Sequence, residues 1–367
     1  MNSTSNSIYL TKNQWFEAFG STLARDIMCL FIITPVSLMG FILNILSYII
    51  LCKKKFQNIL VYSYMRMYTI NSVILNLLMF FLFIANSYRF LDFSYASSLP
   101  AYYLSYVFIP LTNICMYFAI SIEIVISIER ISQFIPSTRK NILAKHKPRN
   151  IGIIILIGCL IINAQYFFNE QPAQLDLNLD STSTFRFYFV ELTSFSVGLF
   201  GTILNFFTYF LRDVLLLILQ CILAIISIIL IKRYFKNKKK MVTNLPEIFQ
   251  NHTNTCSEAT STTTIQNMNK IQTKDSSASA NKNKKITRAD KNLTIMVLII
   301  TFLSIIEHLF FIVLVVALNF FIGKTAFLIV MSSDLFISFK HFFNFFLLYF
   351  FNKLFKIEMR KIICKRT

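Results

Sequence analysis

The sequence predicts an all-α membrane protein: a seven-transmembrane helix bundle followed by a short cytoplasmic amphipathic helix. Composition, block length and charge placement carry that prediction. Of 367 residues, 55% are hydrophobic and only 14% charged, with a mean hydropathy of +0.59. Forty Phe stand against seven Gly and seven Pro, far from the usage of a soluble domain. Apolar blocks recur at about twenty residues, the length that crosses a hydrocarbon core about 30 Å thick.

The blocks place spans at roughly 27–51, 67–88, 102–128, 151–168, 208–231, 293–319 and 326–351. The first apolar run is too long for a signal-peptide core and precedes no small-residue cleavage site, so it reads as a signal anchor. Basic residues fix the orientation. Lys53 to Lys55 follow the first span, Arg139 to Arg149 carry five basic residues between the third and fourth, and Lys232 to Lys240 follow the fifth. Lys353 to Arg366 close the chain, while the opposite gaps hold only scattered cations. The positive-inside rule then places the amino terminus outside and the carboxyl terminus inside. The net charge of +19 belongs to this asymmetry rather than to nucleic-acid binding.

This divides the chain into an extracellular segment 1–26, a bundle 27–351 and a cytoplasmic helix and tail 352–367. Residues 192–211 are apolar enough for an eighth span. Crossing there would move the lysine-rich 232–290 stretch outside, so they read as an extracellular loop packed on the bundle and feeding one long fifth helix. Residues 234–290, rich in Asn, Lys, Ser and Thr, read as a disordered cytoplasmic loop. The seven cysteines lie mostly in or beside spans and give no disulfide framework. Asn2 heads an N-glycosylation sequon on the outer side. Cys364 follows an amphipathic run and is either a palmitoylation site or an unmodified thiol.

The chemistry lies in charges within apolar runs. "YFAISIEIVISIERISQF" keeps Glu123 in its middle and the pair Glu129-Arg130 at its end. Glu307, Asp334 and Lys340 are likewise intramembrane. Such charges cost about 2.5–3.5 kcal/mol at a helix centre, so they should face the bundle interior. Lys340 needs an acid partner, and Glu123 and Glu307 are the candidates, with Glu307 favoured because its depth is comparable.

Seven spans and "SIERISQF" resemble the rhodopsin-like (class A) G-protein-coupled receptor family, over roughly 27–364. Ile131-Ser132 stand where that family usually has an aromatic. The resemblance implies that Arg130, held by Glu129 at rest, is released to meet a heterotrimeric G protein, with Tyr349 as a second switch residue. "GFILN" resembles the family's Gly-x-x-x-Asn, which would make Asn44 its inter-helical amide. Asn76 stands where an Asp normally binds sodium. Asn344 lies five residues before Tyr349 rather than four, and the usual Pro is missing. Glu307 occupies the place of the usual tryptophan, a feature of several invertebrate peptide receptors. Asn44, Asn76, Glu123, Glu307, Lys340 and Asn344 would form the polar network. Thr112, Glu307 and Asp334 would line the ligand pocket. Ser105 replaces the cysteine that normally ties the third span to the second outer loop, and residues 169–207 hold no cysteine. Lys340 lies nine residues before Tyr349, a spacing different from that of the opsin lysine, so no retinal or other cofactor is expected.

The expected function is a plasma-membrane receptor that passes an extracellular peptide or chemosensory cue to a G protein, with membrane lipid as its other partner. A channel or transporter using Glu123, Glu307 and Lys340 is the alternative. No metal-ligand spacing or nucleophile elbow points to an enzyme.

Overall fold

A computed structural model describes residues 28–57, 59–87, 98–134, 147–180, 183–233, 236, 292–310, 312–313 and 324–364. The expectations for Asn2, the segment 1–26 and the 234–290 loop (Lys236 aside) lie outside these residues. Seven described helices are long and apolar enough to cross a membrane, so the chain is a multi-pass membrane protein built mainly of helices. We label α1 (Thr34–Leu51), α2 (Leu60–Ser87), α3 (Ile109–Phe134), α4 (Pro148–Asn163), α5 (Leu199–Arg233), α6 (Asn292–Phe310) and α7 (Lys324–Phe351). A further helix, α8 (Lys353–Cys364), follows α7 after Asn352 alone.

Over most of its length α1 is polarised the opposite way to a helix of a soluble protein. On α1 the buried face is Ser37, Gly40, Asn44 and Ser47, while Leu38, Met39, Ile42, Ile45 and Ile49 point outward. Small and polar residues inside, with branched aliphatics outside, suit a lipid surround, where close backbone approach and hydrogen bonds drive packing. The centre is α3, whose apolar window is 72% buried against 22% for α5.

The approach of α1 to α2 rests on Gly40. A Cβ there would lie 2.6 Å from Asn76 Oδ1, and Asn76 is itself held by its Nδ2 donating to Ser72 O at 2.8 Å. Gly40→Ala is therefore expected to destabilise by about 1–3 kcal/mol through overpacking. Asn76→Ala in that background should return part of the loss in a detergent thermal melt. Equal losses in both backgrounds would mean that the clash is elsewhere.

Two departures from the sequence reading stand out. Residues 199–211 are not a loop but the start of the helix: α5 begins at Leu199 and runs 35 residues, and only 192–198 lead into it. Apolar sequence with no proline or polar breaker simply continues as helix. Only the link before it turns, through Ser194–Val197, where Thr193 Oγ1 caps by accepting from Ser196 N at 3.2 Å. Gly201 makes this reversal possible, because a Cβ there would stand 2.0 Å from Phe195 O. The second departure is a β-hairpin in a chain expected to be all-α. Strand β1 (Glu170–Asp180) pairs antiparallel with β2 (Ser183–Leu192), from Glu170 opposite Leu192 to Asp180 opposite Ser183. The alternation in "QLDLNLD" and "TFRFYFV" has the period of two that a strand needs.

Candidate functional site

Four helices meet at one ammonium. Lys340 Nζ on α7 lies 2.6 Å from Glu307 Oε2 on α6 and 3.0 Å from Glu123 Oε1 on α3. It also donates to Ser304 Oγ at 3.1 Å. The Glu307 contact is an aligned hydrogen bond. The Glu123 contact is an ion pair at 3.0 Å. Gln220 on α5 closes the ring, its Nε2 reaching Glu123 Oε2 at 3.0 Å and Ser304 Oγ at 3.2 Å. Ser304 and Glu307, three residues apart, share one face of α6. Every member is at most 5% exposed. Sequence reasoning offered the two acids as alternatives for Lys340; in the bundle the lysine touches both.

A second ionic centre was missed. Arg212, one of the scattered outer-side cations of the charge count, and Asp213 are only 1% and 4% exposed. They sit in a π-helical turn, Phe210–Leu215, and both are buried there. The guanidinium grips the carboxylate twice, at 2.8 Å and 2.9 Å, and donates to Asn113 Oδ1 on α3. His308 Nδ1 on α6 stands 3.9 Å from Asp213 Oδ1. The signal was present, since an Arg-Asp pair inside an apolar run follows the same logic as Glu123. Gln220 lies seven residues beyond Asp213, two turns along the same face.

Helices α1, α2 and α7 share a polar seam. Asn44 Nδ2 donates to Gly40 O at 2.8 Å and to His341 O at 2.9 Å, while its Oδ1 accepts from Asn344 Nδ2 at 3.3 Å. Ser72 Oγ meets His341 Nδ1 at 2.8 Å, and Tyr68 stacks on that imidazole. Asn76 lies one turn from this contact, bonded within α2.

At the end of α3, Arg130 Nε donates to Glu129 Oε2 at 3.0 Å, and Gln133 Nε2 donates to Glu129 Oε1 at 2.6 Å. Both charged residues are buried. One turn earlier, Ser127 Oγ and Thr301 Oγ1 meet at 3.4 Å and link α3 to α6. Tyr349 is half-buried, stacked on Phe345, with Lys356 Nζ over its ring. Thr112 is buried with no hydrogen-bond partner for its hydroxyl among the described residues, and Asp334 is half-buried. Cys364 is exposed at the end of α8, and none of Cys52, Cys115, Cys159, Cys221 and Cys364 is in a disulfide. Ser105, at the position expected for a bridging cysteine, is fully buried.

The α8 helix starts on an Asn352 cap, whose Oδ1 accepts from Phe355 N at 3.1 Å while its Nδ2 donates to Tyr62 OH at 3.0 Å. Its Glu358 gathers Lys53, Lys55 and Lys361 at 2.9, 2.9 and 3.2 Å. Hydrogen bonds from Lys55, Lys53 and Lys361 hold that carboxyl down at about 2, and Lys55 is raised above the usual ammonium range by the same contact. A depressed carboxyl adds stability above its ordinary value near 4.5 and loses it as pH falls through its folded value. The melting gap between the parent and Glu358→Gln should therefore be full at neutral pH, shrink below pH 4.5 and close near pH 2. A gap already closed at pH 4 would mean that the lysines do not hold the carboxylate.

Comparison with the models of known protein families and with curated proteins finds no match for this chain.

Proposed function

We propose that this chain is a divergent rhodopsin-like receptor of the plasma membrane, with its amino terminus outside, coupling an extracellular peptide or chemosensory ligand to a heterotrimeric G protein. The observation that carries the reading is the buried Glu129–Arg130 pair at the basic end of α3, one turn from the Ser127–Thr301 link to α6. A guanidinium held by its neighbour near a movable helix is a two-state element: exchange of its partner for another acceptor changes what the end of the bundle presents. The Lys340 cluster ties α6 to α3, α5 and α7, so a ligand that favours the outward position of α6 must act against it. On this reading α8 is the cytoplasmic amphipathic helix. Its Phe355 and Met359 are buried on the bundle, and Lys353, Arg360 and Lys361 face out.

The buried ion pairs also favour a second reading, a channel or transporter. Against it, Lys340 is held by both acids at once, so these three charges are already paired with one another.

The test is heterotrimer dissociation, measured by resonance energy transfer in cells expressing the chain with a panel of Gα subtypes and peptide and small-molecule ligands. Dissociation above that of untransfected membranes supports the receptor. Its absence for every subtype, together with ion flux through reconstituted protein, supports the second reading. Orientation is checked separately. An amino-terminal epitope should bind antibody on intact cells, and staining only after permeabilisation would reverse the topology.

A further inference from the structure

We infer that the Lys53–Lys55–Lys361 cluster over Glu358 is a binding site for a lipid headgroup ending in a phosphomonoester, of the kind phosphatidic acid carries. The site is assembled from two places in the chain, the link after α1 and the outer stripe of α8. Glu358 lies beneath, its side chain 7% exposed, while the side chains of Lys53, Lys55 and Lys361 are 34%, 56% and 53% exposed. The carboxylate gathers the three ammonium groups and leaves them turned outward. An ammonium has three N–H donors, and Glu358 takes one from each.

Charge names the occupant. Three ammonium groups against one carboxylate leave a net charge of +2. A phosphomonoester carries about −1.5 to −2 at neutral pH with three acceptor oxygens, one for each lysine. A phosphodiester headgroup carries a single charge and matches less than this. Position names the source as lipid. Lys53 stands two residues past the apolar end of α1 at Leu51, and α8 leaves α7 directly. Leu354 and Ile357, exposed on α8, share a helical stripe with Lys361. Apolar residues leading into a basic group along one stripe suit a helix lying at the boundary between acyl chains and headgroups. The inference stands apart from the receptor reading.

The experiment compares the full chain in nanodiscs of neutral phosphatidylcholine containing equal mole fractions of phosphatidic acid or phosphatidylglycerol, with lipid retention measured by native mass spectrometry after release. Phosphatidic acid should be retained over phosphatidylglycerol by about fivefold or more, the scale of one lysine at a membrane surface. Lys53→Gln/Lys55→Gln/Lys361→Gln should abolish that preference. Lys147→Gln/Arg149→Gln/Lys232→Gln, which removes the same charge elsewhere on the exposed surface, should lower retention of both lipids alike and keep the preference. Lys55→Gln alone, at the most exposed of the three, keeps the test open if the triple variant does not fold, and should lower the preference. Equal retention of the two lipids by the parent overturns the inference, as does loss of preference in the control triple. Displacement of phosphatidic acid by inorganic phosphate at equal concentration would make this a free-phosphate site and overturn the lipid assignment.

Discussion

Replacing Lys340 with methionine is expected to lower the stability of the solubilised protein by about 3–5 kcal/mol, the largest loss of any single substitution proposed here. The reason is its position between two acids. Without the ammonium, Glu307 loses the cation in contact with it, and Glu123 is left with uncharged partners such as the amide of Gln220. Glu307→Gln alone removes the shorter contact but leaves Lys340 paired with Glu123, so its loss should be smaller. The double variant Lys340→Met/Glu307→Gln should recover part of the lysine loss, and adding Glu123→Gln should recover most of the rest. Melting temperatures of the singles, doubles and triple give the coupling energies directly. Strictly additive losses would show that the three side chains do not form one cluster in the membrane.

Arg130→Ala is expected to abolish G-protein coupling while leaving surface expression intact, and this prediction rests on the receptor reading. Folding should survive because Glu129 keeps the Gln133 amide at 2.6 Å after the guanidinium is gone. Glu129→Ala should act in the opposite direction, raising basal signalling roughly fivefold, the effect of about 1 kcal/mol on a two-state balance. Both are read as basal and ligand-driven heterotrimer dissociation, normalised to surface antibody staining. If both variants reach the surface and signal like the parent, the pair is not a latch. Loss of surface staining instead would assign it to folding.

The sequence by itself determined the environment and the inventory of this protein. Seven apolar blocks mark membrane helices because the cost of exposing peptide groups to hydrocarbon is paid locally, by runs of about twenty residues. Glu123, Glu307 and Lys340 were legible as interior residues because a charge facing acyl chains is too costly wherever the helix packs. What the chain could not reveal is register between helices. That Lys340 meets both acids, with Gln220 and Ser304 completing the ring, depends on the depth and rotation of four helices, and hydropathy measures neither. Arg212 and Asp213 were not legible as a buried pair, because Arg212 counts by loop charge among the outer-side cations and charge placement does not show which way a helix end faces. In the structure both face inward from the π-helical turn of α5. Glu358 gathers lysines from positions more than 300 residues away, and only the tertiary fold brings Lys53 and Lys55 to it. Burial follows from what each segment is made of; pairing follows from where the segments come to rest against one another.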